Sequence, residues 1–281
     1  MKFGDIDIFL LSDGTFRLDG GAMFGVIPRV LWERHDPPDE KNRILLGLNS
    51  LLVLRGEEKI LIDCGIGDKF DKKFANIYAI QREHTLLDEL AGHGLKPEDI
   101  THVILSHLHF DHIGWSTRRN AKGELEPTFK NAVYFCQRGN YDYGLQPDPR
   151  SRASYLQENF VPLHQHGVLK FLEGTGEVMP GIESVVTGGH TQDHAIIKIK
   201  TAGRTICFLA DLVPTVSHLR TVYVMGYDVF PAQTMQAKPR VLQQAFEEQW
   251  LLIFEHGAHV KAGYLQQVEG DWKIEPVNID S

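Results

Sequence analysis

Ile6, Ile8 and Leu10 recur at every second position and predict a strand near the start of the chain. Apolar runs at 48–54 and 59–63 flank the turn-forming Arg55-Gly56-Glu57-Glu58 and predict a hairpin. Leu86, Leu87 and Leu90 have helical spacing, with Gly92 or Gly94 as the stop, and 101–106 is then a short β-rich run. Further strands are expected at 132–136, 182–186, 195–200 and 205–209, the last two joined by Thr201-Ala202-Gly203-Arg204. Pro239 is placed to open a helix through Gln249, with a wholly apolar strand at 251–254 behind it. Hairpins mixed with strand-helix units predict an α+β sandwich, two mixed β-sheets facing each other with helices outside.

The sequence has no internal repeat, low-complexity tract or long linker, so one domain over 1–281 is expected. Two stretches break the pattern. Residues 17–40 set Met23, Phe24, Ile27 and Trp32 among charges and prolines, and 137–180 mixes Tyr141, Tyr143 and Phe160 with Pro147, Pro149, Pro162 and Pro180. Excursions of this length serve as lids and binding walls or simply pack on the surface.

With 42% hydrophobic and 23% charged residues, disorder, collagen and coiled coil are excluded. The net charge of -8 disfavours non-specific binding to nucleic acid or to an anionic membrane. No run reaches the roughly twenty apolar residues of a membrane span. Acidic residues at the start break up a signal-peptide core, and three scattered cysteines suit a reducing compartment, so a cytoplasmic location is expected. Fourteen histidines change the picture, because their placement is uneven.

His107-Leu108-His109-Phe110-Asp111-His112 puts three imidazoles and a carboxylate within six residues, directly after a predicted strand. Protonated, the rings would repel one another; as neutral donors they suit zinc. His107 and His109 alternate onto one side of an extended stretch, and a turn near the small Gly114 would aim Asp111 and His112 at a second ion. Two ions need further ligands, and His190, Asp211 and His256 each lie at or just past a predicted strand end. A lone His or Asp is usually just a solvated or satisfied side chain; the anchor motif is what singles these out.

The HxHxDH motif, the later Gly189-His190-Thr191, the strand-end Asp211 and the final His256 resemble the metallo-β-lactamase superfamily from the first hairpin to His256. That resemblance implies an αβ/βα sandwich with a dinuclear site at its edge. It implies His107, His109 and His190 on one metal, Asp111, His112 and His256 on the other, and Asp211 bridging them. Asp63 matches a family aspartate that supports the metal loop, and His194 is a further supporting candidate. Histidine at 109, where flavin-linked diiron relatives carry Glu, points to hydrolysis. The Asp13-Gly14 start, the Gly20 to Trp32 excursion and Ala210-Asp211-Leu212-Val213-Pro214-Thr215 resemble quorum-quenching N-acyl homoserine lactonases and related organophosphate hydrolases. Pro214 stands where well-known lactonases have the tyrosine that polarises the carbonyl, leaving Tyr223, Tyr227 and His218 as candidates.

The expected chemistry is ester or lactone hydrolysis by a hydroxide shared between two divalent ions, zinc first, with manganese, iron or cobalt accepted by the same donors. Asp111 and Asp211 are the expected catalytic carboxylates. The expected partner is a small molecule with an apolar part, held by Met23, Phe24, Ile27, Trp32 and Trp115; a homodimer is compatible with the sequence. Phosphotriester hydrolysis, iron-dependent persulfide oxidation and a non-catalytic metal-binding module are the alternatives.

Overall fold

A computed structural model describes residues 1–279. Its first large sheet has the spatial order Lys2–Phe3, Ile6–Asp19, Arg43–Arg55, Glu58–Ile62, His102–Ile104, Val133–Gln137, Leu169–Leu172. The strands up to Glu58–Ile62 pair antiparallel, and the later junctions are parallel. The second sheet runs Gly176–Met179, Ile182–Val186, Ala195–Thr201, Arg204–Phe208, Leu251–Ile253, Ala262–Val268, Asp271–Pro276. It is antiparallel except where Arg204–Phe208 meets Leu251–Ile253.

Strand alternation decides the layers. Leu51, Val53, Ile60 and Ile62 face inward and meet Ile197, Ile199, Ile206, Phe208, Leu251 and Ile253 of the second sheet. Their neighbours Leu52 and Leu61 face outward, under Leu86 and Leu90 of the helix Leu86–Gly92. Cys207 and Leu252 face out from the second sheet onto Ala237, Leu242 and Ala245 of the helix Pro231–Glu247. Each side chain fully buried this way stabilises the fold by about 1.5–3 kcal/mol. The result is the expected helix-sheet-sheet-helix sandwich.

The last long helix starts earlier than its proline suggests: Pro231 occupies the first turn and Pro239 lies inside. The inward face of its opening turns is Thr234, Ala237 and Lys238, which carries no apolar stripe to read. Residues 137–180 are no mere excursion either, since Leu169–Leu172 and Gly176–Met179 are the edge strands of the two sheets. Residues 17–40 hold two short helices, Gly20–Phe24 and Arg29–Trp32. Their Met23, Phe24 and Trp32 pack with Phe16, Ile44, Leu46, Phe110 and Met225 into a fourth core beside the sandwich edge.

Candidate metal centre

Chain order brings the site together because the ligand-type residues follow strand ends at one rim. Asp63 follows Glu58–Ile62, His107 lies just beyond His102–Ile104, Asp211 beyond Arg204–Phe208, and His256 beyond Leu251–Ile253. After His109, in extended conformation, the one-turn helix Phe110–Ile113 swings Asp111 and His112 back toward the rim. Gly114 is needed for close approach, since its own φ of -56° is ordinary: a Cβ there would sit 1.9 Å from the Ile66 carbonyl carbon. Gly188 and Gly189, with φ of 59° and 82°, bend the chain into His190.

His107, His109, His190 and Asp211 offer ligand atoms all within 4.8 Å of one another, and so do Asp111, His112 and His256. Asp211 lies between the groups: its Oδ2 is 3.0 Å from His190 Nε2, 3.4 Å from His112 Nε2 and 3.7 Å from His107 Nε2, and its Oδ1 is 3.3 Å from His256 Nε2. All seven side chains are buried.

The ring tautomers follow from the partners on the other nitrogen. His190 Nδ1-H donates to Asp228 Oδ1 at 3.0 Å and His256 Nδ1-H to the Gly47 carbonyl at 2.9 Å. His112 Nδ1 faces Asp63 Oδ2 at 3.0 Å and Glu255 Oε2 at 2.6 Å. Nε2 of each is thereby left with a lone pair aimed inward. The Nε2 atoms of His107, His109 and His112 and Oδ1 of Asp211 are buried with no hydrogen-bond partner. Orphaned acceptors of this kind are costly unless something electropositive sits among them, so the donor set fits two divalent cations. Burial, and then the neighbouring imidazoles, push His107 and His109 well below the ordinary histidine range, keeping them neutral. Burial opposes ionisation of Asp211, but in the metal-free site, where His190, His256 and His112 take up protons in place of a cation, their positive fields outweigh it and hold the carboxyl well below its usual value. The further cluster of Asp63, His112 and Glu255 shares only the Nδ1 side of His112, so its carboxylates serve to orient that ring.

The family model described as metallo-beta-lactamase superfamily matches residues 44–256. The chain belongs to that superfamily. Among its relatives is an N-acyl homoserine lactonase of Bacillus cereus, 30% identical over 170 residues; the match spans 57% of this chain and 61% of that lactonase. A probable metal-dependent hydrolase from Staphylococcus aureus superposes with a TM-score of 0.89 at 29% identity, over 99% of this chain and 100% of the other. AidC, a dizinc quorum-quenching lactonase, has the same fold, with a TM-score of 0.79 at 19% identity over 99% and 96% of the two chains.

Within this superfamily framework, the supporting residues are only partly those read from sequence. Asp63 accepts the Ser106 backbone N-H at 2.7 Å and its hydroxyl at 2.5 Å, fixing the residue before His107. His194 accepts the Asp211 backbone N-H at 3.1 Å. Asp228 and Glu255 were missed: a carboxylate in a loop and one beside a histidine carry no spacing signal. Asp13 was singled out only through family likeness; it accepts from the Ile66 and Gly67 amides at 3.0 Å each, bracing the loop behind Gly114.

The proposed acyl wall changes most. Leu18, Met23, Tyr78, Phe110, Met225 and Tyr227 line the cavity that opens onto His109, Asp111, His190, Asp211 and His256. Of the aromatic and aliphatic candidates, only Met23 is there. Trp115 is buried in the sandwich, its indole N-H donating to Asp13 Oδ1 at 2.9 Å. Phe24 is stacked between Trp32 and His218, with centroids 5.2 and 4.7 Å away, which removes all three from the cavity wall. His218 Nε2-H also donates to the Met23 carbonyl at 2.9 Å, so no ring N-H is left for a substrate. Ile27 packs at the edge of the fourth core, and Tyr223 lines a separate cavity of about 600 Å³ beyond His256. Tyr227 alone of the three carbonyl-polarising candidates reaches the site.

The three cysteines are free and buried, and among the described residues no helix is long and apolar enough to cross a membrane.

Proposed function

We propose that this chain is a metal-dependent hydrolase that opens lactone rings, N-acyl homoserine lactones among them. The observation that carries the reading is the convergence of His107, His109, His190, Asp111, His112, His256 and Asp211, with the Nε2 atoms of His107, His109 and His112 unpartnered, beside a cavity with apolar walls that reaches His109, Asp111, His190, Asp211 and His256.

His107, His109, His190 and Asp211 would hold one divalent ion, and Asp111, His112, His256 and Asp211 the other, zinc being the metal these donors suit best. When bound, the pair supplies a water of lowered pKa and an electrophile for the ester carbonyl. Leu18, Met23, Phe110 and Met225 exclude water and hold the apolar acyl part. Burial keeps the Tyr227 phenol protonated, so it serves as a neutral donor toward the carbonyl oxygen in place of the residue that Pro214 displaces. Asp211, held ionised by its imidazoles, is a poor base; Asp111, at the cavity wall, carries the proton to the leaving alkoxide.

The test is metal content measured alongside hydrolysis of long-chain and short-chain lactones and a phosphotriester. Two ions per chain and lactone turnover that disappears on chelation are expected. Full activity of rigorously metal-free protein, or turnover of the phosphotriester alone, overturns the proposal.

A further inference from the structure

Tyr227 and Asp228 sit on one short turn, and what holds that turn comes from elsewhere in the chain. The Gly226 N-H donates to the Ala22 carbonyl at 2.7 Å, and the Val229 N-H donates to the His190 carbonyl at 3.0 Å. The carbonyls on either side of Tyr227 face a third element. Arg150 Nη2 donates to the Gly226 carbonyl and, at 2.9 Å, to the Asp228 carbonyl. The arginine is itself set by an Asx turn: Asp148 Oδ1 accepts from the Arg150 and Ser151 amides at 2.7 and 3.0 Å, while Asp148 Oδ2 accepts the Tyr143 hydroxyl. The same stretch continues into Ser154, which lines the cavity, and Tyr155, whose ring packs 4.8 Å from that of His109.

The geometry points to Arg150 as a positioning residue for the metal centre: its guanidinium clamps the 226–228 turn, aiming Tyr227 into the cavity and Asp228 at His190. Both bonds come from the one Nη2 nitrogen, whose two N-H groups tie the Gly226–Tyr227 peptide to the Asp228–Val229 peptide across Tyr227 in a planar geometry that a lysine ammonium reproduces only in part. Because Asp228 Oδ1 accepts from His190 Nδ1-H at 3.0 Å, any tilt of the turn is passed to His190 Nε2. This rests on the reading that the His/Asp cluster holds metal, but the clamp itself does not.

The experiment compares Arg150→Ala, Arg150→Lys, Asp228→Asn and the double variant Arg150→Ala/Asp228→Asn, with Arg152→Ala as a surface control. Two readouts are taken: hydrogen exchange of the 224–230 amides in metal-free protein, and the rate of zinc loss from the loaded protein to a chelator. Arg150→Ala is expected to speed amide exchange in that segment, to release zinc about tenfold faster, and to be partly rescued by Arg150→Lys. The double variant is expected to release zinc no faster than Asp228→Asn alone, because both act through His190. Unchanged exchange in Arg150→Ala removes the clamp, and additive zinc loss in the double variant removes its route to His190. A parent protein that binds no zinc overturns the proposed function instead, and the exchange readout then decides the clamp by itself.

Discussion

His194 Nε2 accepts the backbone N-H of Asp211 across 3.1 Å, while its Nδ1 pairs with the Thr187 hydroxyl at 2.7 Å. Ala210, just before that aspartate, is left-handed with φ of 43°, a conformation that costs an L-residue about 1 kcal/mol and survives because its neighbours enforce it. Burial pushes His194 down to about 3, so it stays a neutral acceptor. His194→Phe leaves the Asp211 amide unpaired and lets the carboxylate drift. We expect zinc affinity to fall about tenfold, measured by chelator competition; undiminished affinity removes His194 from the support of the site.

Two carboxylates meet one imidazole at His112, and they are not equivalent. Burial pushes the Glu255 carboxyl well above its ordinary range, with the opposing pull of His112 too weak to offset it. A neutral group there is replaced almost isosterically by an amide. Asp63, by contrast, accepts from two Ser106 donors as well as from His112. Glu255→Gln is therefore expected to keep kcat/KM within about threefold, whereas Asp63→Asn lowers it about 10- to 100-fold. Steady-state kinetics on zinc-loaded variants decide, and the reverse order of severity contradicts the assignment.

Tyr227→Phe removes the phenol proposed to meet the carbonyl while keeping the wall of the cavity. A drop in kcat of about a hundredfold with little change in KM is expected from loss of one such donor. Tyr78→Phe, on the same cavity, serves as the comparison. Equal losses in both variants would mean that the hydroxyls act on packing or solvent rather than on the reacting oxygen.

Acid pH should weaken the fold partly through His218. Burial, and then the Lys238 ammonium, push this imidazole from 6.5 down to about 4. The unfolded chain thus binds the proton more tightly than the folded one, so the stabilisation is fully present above the unfolded value and is lost as pH falls toward 4. Over the interval from about pH 7 to about pH 5 the loss from this one group is about 2 kcal/mol. Urea unfolding at both pH values should show a smaller difference for His218→Gln than for the parent; identical slopes place the pH dependence in other groups.

Asn49 ties the first sheet to the turn that carries His256, its Nδ2 donating to the Phe254 and Gly257 carbonyls at 3.1 and 2.9 Å. Replacing it with Ala strands two buried acceptors and should destabilise the protein by about 2 kcal/mol. Denaturant unfolding gives the value, and a change near zero excludes the tie.

The sequence by itself determined the layers and the metal-binding anchor. Period-two alternation needs only neighbouring residues, so Ile6, Ile8 and Leu10 against Asp7 announce which face of a strand is buried. The 107–112 motif is likewise legible because its chemistry is confined to one turn. Tertiary structure alone decided what surrounds that anchor. Asp228 lies 38 positions from the histidine it orients, and the Arg150 guanidinium 78 from the Asp228 carbonyl it holds. No local pattern records such pairs, because they form only when loops from different strand ends meet at one rim. Hydrophobicity likewise marks Trp32 and Trp115 for burial without saying against what; packing placed them in cores and gave the cavity to Leu18, Met225 and Tyr227.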